Sequence, residues 1–193
     1  GRLVERKGVR YLLDAIAQLQ DRYDVVLRVV GDGPWRPRLE ARAETLSLQD
    51  RVSFEGFVSK DELARRFAAC DAFVLPAIVD AKGDTEGLGV VLIEALSYGK
   101  PVVATSVGGI VDIVRDGDTG LVVPPEDAEA LARAIATCIQ QPDRARALAE
   151  RGRAHVEAEF SWDTIITRLA SLYGELAARR ASYRQAKARD AGA

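Results

Sequence analysis

The chain has 193 residues, of which 48% are hydrophobic and 29% are charged, and its formal net charge is −2. This length and composition are typical of one soluble globular domain with a sizeable core, and the near-neutral charge argues against a surface for nucleic acid. Its two cysteines, Cys70 and Cys138, form no disulfide framework and suit no metal site, which is typical of a cytoplasmic protein. No apolar run reaches the roughly 18 residues needed to span a membrane, and the first residues do not look like a signal peptide.

Short β-branched segments alternate with longer amphipathic ones. The predicted strands cover residues 25–33, 51–57, 71–76, 100–105 and 119–125. The predicted helices cover residues 9–20, 34–46 with Pro34 at the first position, 60–69, 88–98, 110–114, 126–140, 143–158, and from 162 through the 170s. The strands are continuously apolar, which indicates a parallel sheet covered on both faces. The predicted fold is therefore α/β, a Rossmann-like three-layer α/β/α sandwich.

In such folds, ligands bind at the carboxyl ends of the strands. Two glycine turns fall on that edge, one after Val30 and one around Leu88, and the N-terminal sequence GRLVERKG adds three cations before the first helix. The candidate site is therefore expected to combine open backbone amides with positive charge.

Two carboxylates flank the second turn. Glu94 is the only charged residue in the run from Leu88 to Leu96, so its helix is expected to be packed on nearly every side. An unpaired carboxylate there would be costly, so Glu94 either meets a fixed protein donor or faces a cleft that a ligand fills. Glu86 precedes the helix N-terminus, where the helix dipole alone would favour an acid.

The spacing of the two acids limits the chemistry. On one helix they would lie about 12 Å apart along the axis. A retaining glycosidase pair needs about 5–5.5 Å and an inverting pair about 6.5–9.5 Å. The wider separation favours an elongated ligand with hydroxyl groups at both ends and a diphosphate between them, such as a sugar nucleotide.

A series of motifs, in order, resembles a known family. They are GRLVERKGVRYLLDAI, VVGDGP, RVSFEGFV, EGLGVVLIEALSYGKPVVAT, GGIVDIV, TGLVVPP and FSWDTIITRLASLYGEL. Together they resemble the C-terminal half of a GT-B glycosyltransferase of family GT4, a retaining group that uses no metal or other cofactor. The resemblance extends to about residue 176.

The resemblance implies a role for each matching position. Arg2 and Lys7, with Arg6 beside them, match cations that bind the donor diphosphate, and Glu86 matches the acid that holds the donor sugar. Glu94 matches the acid that binds the ribose diol, and Gly31 matches the first glycine turn. The turn whose amides contact the sugar and the β-phosphate is matched by Gly87, Leu88, Gly89 and Val90. The loop that frames the base is matched by Val58, Ser59 and Lys60. The resemblance thus assigns Arg2, Lys7 and Glu86 to catalysis.

The resemblance also implies a domain organisation. Residues 1–160 would form the donor-binding domain, and residues 161–193 a helix that crosses back to an N-terminal domain and ends in a basic tail. That other domain would bind a glycan or lipid-linked acceptor. The strand that the family has before the GRL motif would either be supplied by residues outside this sequence or be replaced by other packing. The fragment alone is then expected to be inactive, and the whole enzyme to be cytoplasmic, with peripheral association at the inner membrane face left open.

Two other functions fit the residues. A sugar-nucleotide epimerase of the same shape would share the cleft, although the EGLG and GGIVDIV motifs are not usual there. A non-catalytic Rossmann-like module could bind a nucleotide to regulate a partner. Transfer activity of a longer chain containing this domain would separate the glycosyltransferase from the binding module.

Overall fold

The structure, a computed structural model, describes the backbone of residues 1–190 and the side chains of residues 1–180. The strands are β1 Leu27–Val30, β2 Val52–Gly56, β3 Phe73–Leu75, β4 Val102–Thr105 and β5 Leu121–Val123. The helices are α1 Val9–Leu19, α2 Arg36–Thr45, α3 Lys60–Ala69, α4 Val90–Ser97, α5 Ile110–Ile113, α6 Ala128–Gln140, α7 Pro142–Glu159 and α8 Trp162–Asp190. A single 3-10 turn, Glu5–Lys7, precedes α1.

Each predicted strand and helix is present, and the differences lie at the ends. Helix α2 does not begin at Pro34, which lies in a turn; its first residue is Arg36, and Pro37 occupies the first helical turn. A second proline, three positions after Pro34, fits the helix start equally well, because the amides of the first turn need no intrahelical acceptor. Helix α8 continues well beyond the 170s.

All paired strands run parallel. β1 pairs with β2, with Leu27 opposite Val52, and β3, β4 and β5 form a second sheet in that order. Among the described residues no ladder joins the two sheets, so the single sheet predicted from the sequence is interrupted. One core cluster nevertheless packs against both sheets, and it includes Val29, Val103, Leu13, Leu39 and Leu131. The Rossmann-like α/β fold, with parallel strands flanked by helices, is confirmed.

The chain divides into two compact units, residues 1–154 and 155–193. Within the second unit, the Ser161 hydroxyl accepts a hydrogen bond from the Thr164 N–H (3.2 Å) and so caps α8. Large apolar side chains are exposed along α8 at helical spacing: Trp162, Ile165, Ile166, Leu169, Leu172, Tyr173 and Leu176. Most of the predicted basic tail lies outside the described side chains, and the boundary expected after residue 160 stays a prediction.

No helix in the described part of the chain is both long and apolar enough to cross a membrane.

Gly152 is a helical glycine required by packing. A Cβ at this position of α7 would lie 2.5 Å from Leu96 Cδ2 and 2.7 Å from the Thr119 carbonyl oxygen. We therefore expect Gly152→Ala to lower the free energy of unfolding by about 2 kcal/mol, measured by urea denaturation. The control is Gly174→Ala on α8, where no described heavy atom lies within 4 Å of the added Cβ. It should leave the value unchanged or raise it by about 0.5–1 kcal/mol, and equal losses in both variants would contradict the packing argument.

Candidate functional site

The N-terminal segment, residues 1–8, lies against the carboxyl ends of β1 and β3. Beyond β1, the Leu3 N–H donates to the Asp32 carbonyl (2.8 Å) and the Trp35 N–H donates to the Leu3 carbonyl (3.1 Å). Beyond β3, the Ile78 N–H donates to the Arg6 carbonyl (2.8 Å). These backbone bonds bring the N-terminal cations to the sheet edge on which the sequence predicts a ligand.

Gly31 is where the N-terminal segment meets the turn after β1. Its φ is +122°, and a Cβ there would lie 1.8 Å from the Gly1 carbonyl oxygen, so both the conformation and the space require glycine. The Gly31 N–H also donates to the Gly56 carbonyl at the end of β2 (2.7 Å). Gly31 therefore connects the N-terminal segment, the turn after β1 and the end of β2, all of which contribute to the candidate site.

The segment after β2 carries the residues predicted to frame a base. Val58 is half-buried, while Ser59 and Lys60 are exposed. The Ser59 hydroxyl accepts from the Glu62 N–H (3.1 Å) and caps α3, so part of its role is structural. Because Gly56 bonds Gly31, this segment lies beside the first glycine turn.

Arg36 is a positioning residue that the sequence analysis missed. Its guanidinium donates to the Asp32 carboxylate (3.1 Å), to the Glu40 carboxylate (2.7 Å) and to the Phe54 carbonyl (3.2 Å). It thus ties the turn after β1 to β2. The sequence contains a signal for this role, because Asp32 and Glu40 lie four residues before and after Arg36. The same pattern is common on solvated helix surfaces, so it does not single out a positioning residue.

Lys7 and Glu86 form an ion pair between the N-terminal segment and the turn before α4. Their side chains are only 18% and 16% exposed. The sequence analysis places these two residues in one site, and the structure brings them into direct contact. Each charge is thereby neutralised by the other.

The backbone around Glu86 packs on the glycine pair after β4. The Gly109 N–H donates to the Gly87 carbonyl (3.0 Å). Gly108 has φ +53°, and a Cβ there would lie 1.9 Å from the Glu86 carbonyl oxygen. The glycine pair therefore fixes the position of Glu86, a role that the sequence analysis did not assign to it.

Helix α4 has one exposed face. Leu92, Ala95 and Leu96 are buried, whereas Val90 and Glu94, one turn apart, are exposed. The expected burial of this helix on nearly every side is therefore wrong, and so is the alternative in which protein donors satisfy a buried Glu94. The exposed carboxylate stands one turn from the helix N-terminus, on the face that also carries the exposed Val90.

The charges of Lys7 and Glu94 both act on the Gly1 amino group. Burial lowers the pKa of the Gly1 amino group below its ordinary value, Lys7 lowers it further, and Glu94 opposes the shift. Both Lys7 and Glu94 therefore act on one position in the N-terminal segment. Arg2, next to that position, is exposed, and Arg6 is half-buried.

The turn before α4 offers backbone groups to a ligand. Gly87 and Leu88 are exposed, and Gly89, with φ +79°, is the N-cap of α4. Amide N–H groups at a helix N-terminus favour anions, and the nearby carboxylates are acceptors for hydroxyl donors. The arrangement can therefore bind a ligand that is anionic at one point and rich in hydroxyls on either side of it.

Other reactive groups in the described part of the chain suggest no second chemistry. Burial raises the pKa of both Cys70 and Cys138, so neither thiol is a ready nucleophile. No group of three or more His, Cys, Asp or Glu within the described residues could hold a metal ion. His155 packs its ring edge-on against Phe160.

A site of this kind at the carboxyl edge of a Rossmann-like sheet is typical of nucleotide-binding domains. The family model of the glycosyl transferases group 1 matches residues 1–155, and the chain belongs to this family.

Similar proteins agree with this assignment. Over 181 residues the chain is 39% identical to a GDP-mannose-dependent alpha-(1-6)-phosphatidylinositol monomannoside mannosyltransferase of Mycobacterium tuberculosis, covering 92% of this chain and 47% of the relative. The structure of HepE from Anabaena in complex with UDP matches with a TM-score of 0.82 and 30% identity, covering 91% of this chain and 47% of that one. The C-terminal domain of a group 1 glycosyltransferase, LpcC from Francisella tularensis, shares the fold with a TM-score of 0.74, 23% identity and 84% coverage of both chains. The chain thus spans about half the length of the curated relatives it matches.

Gly108 provides a test of how the site is held together. Gly108→Ala places a methyl group against the Glu86 carbonyl and also adds the strain of a left-handed conformation. We expect it to lower the free energy of unfolding by about 3 kcal/mol, measured by urea denaturation. The matched control is Gly117→Ala, which has φ +70° and no described atom within 4 Å of the new Cβ, and it should cost only about 1 kcal/mol. Equal costs would mean that the contact between Gly108 and Glu86 is unimportant.

Proposed function

We propose that this chain is the donor-binding domain of a retaining glycosyltransferase, which transfers a sugar from a nucleoside diphosphate sugar to a glycan or lipid-linked acceptor. The observation that carries the proposal is the arrangement around the turn before α4. The Lys7 cation contacts Glu86 on one side of that turn, and the exposed Glu94 lies on the other. Two similar proteins support a nucleotide donor, since one is a GDP-mannose-dependent mannosyltransferase and the other was solved in complex with UDP.

The diphosphate is the anionic centre of such a donor. Lys7 and the amides at the start of α4 would neutralise it, with Arg2 and Arg6 adding positive charge along the N-terminal segment. As the bond to the sugar breaks, charge develops on the departing phosphate, and groups already in place stabilise it without reorganisation. Because Arg2 is exposed, its contribution should weaken with salt more than that of Lys7.

The two carboxylates would hold the hydroxyl groups at either end. Glu86 would accept from the sugar, together with the backbone of residues 87–90, and Glu94 would accept from the ribose diol. The base would then lie toward Gly31 and residues 58–60. Ionised acceptors give the stronger hydrogen bonds, so each carboxylate should matter more than a neutral contact would.

The complete reaction requires more than this chain. The acceptor would be bound by a further domain of the longer enzyme, and the exposed apolar side chains of α8 are a surface on which such a domain could pack. Peripheral association of that enzyme with a membrane belongs to the same proposal, because one relative acts on a phosphatidylinositol mannoside. The 193-residue chain alone should bind donor without transferring sugar.

Titration calorimetry of the chain with UDP, GDP and their sugars tests the donor site directly. Glu94→Ala should weaken binding of the preferred nucleoside diphosphate about tenfold, because it removes a charged acceptor for the ribose. The control, Glu44→Ala, removes an exposed acid on α2 and should leave the affinity within about twofold. If no nucleotide binds to the folded wild type at millimolar concentration, the proposed function is wrong.

The stereochemistry and the metal requirement form a separate test on a longer enzyme containing this domain. Because the lysine and the helix amides take the place of a metal at the diphosphate, transfer should continue at an undiminished rate in EDTA. The anomeric configuration of the donor should be kept in the product, as measured by NMR of the first product formed. Inversion, or loss of activity that added metal restores, would contradict this mechanism.

A further inference from the structure

The ion pair between Lys7 and Glu86 joins two groups that the proposed function assigns to different parts of the ligand. Lys7 would bind the diphosphate and Glu86 the sugar, yet the structure pairs the two charges with each other. Both side chains are largely buried, so water replaces a lost partner only in part. A ligand whose anionic group binds Lys7 must therefore also donate hydrogen bonds to the Glu86 carboxylate, or that carboxylate loses its partner.

The backbone on which each partner stands is held in place. The Glu86 carbonyl lies against Gly108, and the neighbouring Gly87 carbonyl is bonded by the Gly109 N–H. Lys7 belongs to the 3-10 turn, in which its N–H donates to the Val4 carbonyl (3.1 Å). The backbone that carries the Glu86 carboxylate is thus fixed beside the position at which the proposed function places a phosphate, while the Lys7 side chain can turn.

We propose that the Lys7–Glu86 pair makes the site discriminate between the intact sugar nucleotide and the nucleoside diphosphate that remains after transfer. This inference rests on the proposed function. The sugar of an intact donor offers hydroxyls to Glu86 while Lys7 turns to the diphosphate, so both charges keep partners. The nucleoside diphosphate withdraws Lys7 but offers Glu86 no donor, and it leaves two anions side by side.

The consequence is weaker retention of the product. A buried carboxylate that loses its cation and gains an anionic neighbour opposes binding of that anion. Glu86 would therefore serve twice, holding the sugar before transfer and favouring release of the nucleoside diphosphate after it. Glu86 would act as a specificity residue because its carboxylate loses the ion pair with Lys7 when a ligand binds that lysine.

The test compares Glu86→Gln with Asp84→Asn in the 193-residue chain. Each variant removes one negative charge from the same loop, and Asp84 is exposed, with its backbone in a turn closed by Asp80. Calorimetry with the preferred nucleoside diphosphate and its sugar nucleotide gives the two dissociation constants. We expect Glu86→Gln to bind the nucleoside diphosphate about tenfold more tightly than the wild type, and the sugar nucleotide more weakly.

The control keeps the result specific. Asp84→Asn should leave both affinities within about twofold of the wild type, because an exposed charge is screened by solvent. If Glu86→Gln does not fold, as judged by circular dichroism, Glu86→Ala carries the same expectation for the nucleoside diphosphate.

Two results would count against the inference in different ways. If removal of the Glu86 carboxylate leaves nucleoside diphosphate binding unchanged or weaker, the pair has only a structural role and the inference is wrong, although the donor site stands. If the folded wild type binds neither ligand, the proposed function itself fails and the inference fails with it.

Discussion

The site depends on close backbone contacts at the carboxyl edge of the sheets. The N-terminal segment lies so near the turn after β1 that Gly31 leaves no room for a side chain, and Gly108 leaves none beside Glu86. In both places the atom that occupies the space is a backbone carbonyl oxygen, which cannot move without shifting the chain. Charged side chains far apart in the sequence are therefore positioned by rigid backbone, and the ion pair of Lys7 with Glu86 follows from that placement.

The fold could be predicted because its signals are local. Apolar runs of strand length alternate with segments of helical period, and that alternation is enough to indicate a Rossmann-like sheet and the edge at which a ligand binds. Helix α3 was predicted with its observed ends, and the structure shows a local signal for its start, the Ser59 cap followed by acids in the first turn. Helix α2 was less well defined, since Pro34 and Pro37 both suit a helix start and only the tertiary structure selects Arg36.

Non-local features could not be predicted in the same way. Helix α4 is apolar around almost its whole circumference, so its composition does not reveal that the face with Val90 and Glu94 is exposed. Which face of α4 is exposed depends on how the rest of the fold packs against the helix, and the periodicity of the sequence does not contain that information. The motifs placed Lys7 and Glu86 in one site, but their direct pairing required the coordinates, and Arg36 was missed because its interactions resemble ordinary helix-surface ion pairs.

Under the proposed function, the groups that hold the diphosphate and sugar are separate from those that contact the base. One similar protein is GDP-mannose-dependent and another was solved in complex with UDP, so these similar proteins differ in the base of their nucleotide. Under the proposed function, the diphosphate and sugar are held by Lys7, Glu86 and backbone fixed by glycines, none of which reads a base. Choice of base would then fall to residues 58–60. These residues follow β2, which Arg36 ties to the turn after β1 and not to the ion pair. Under the proposed function, sequence changes in that segment would therefore alter the preferred nucleotide without disturbing the groups that hold the diphosphate and the sugar.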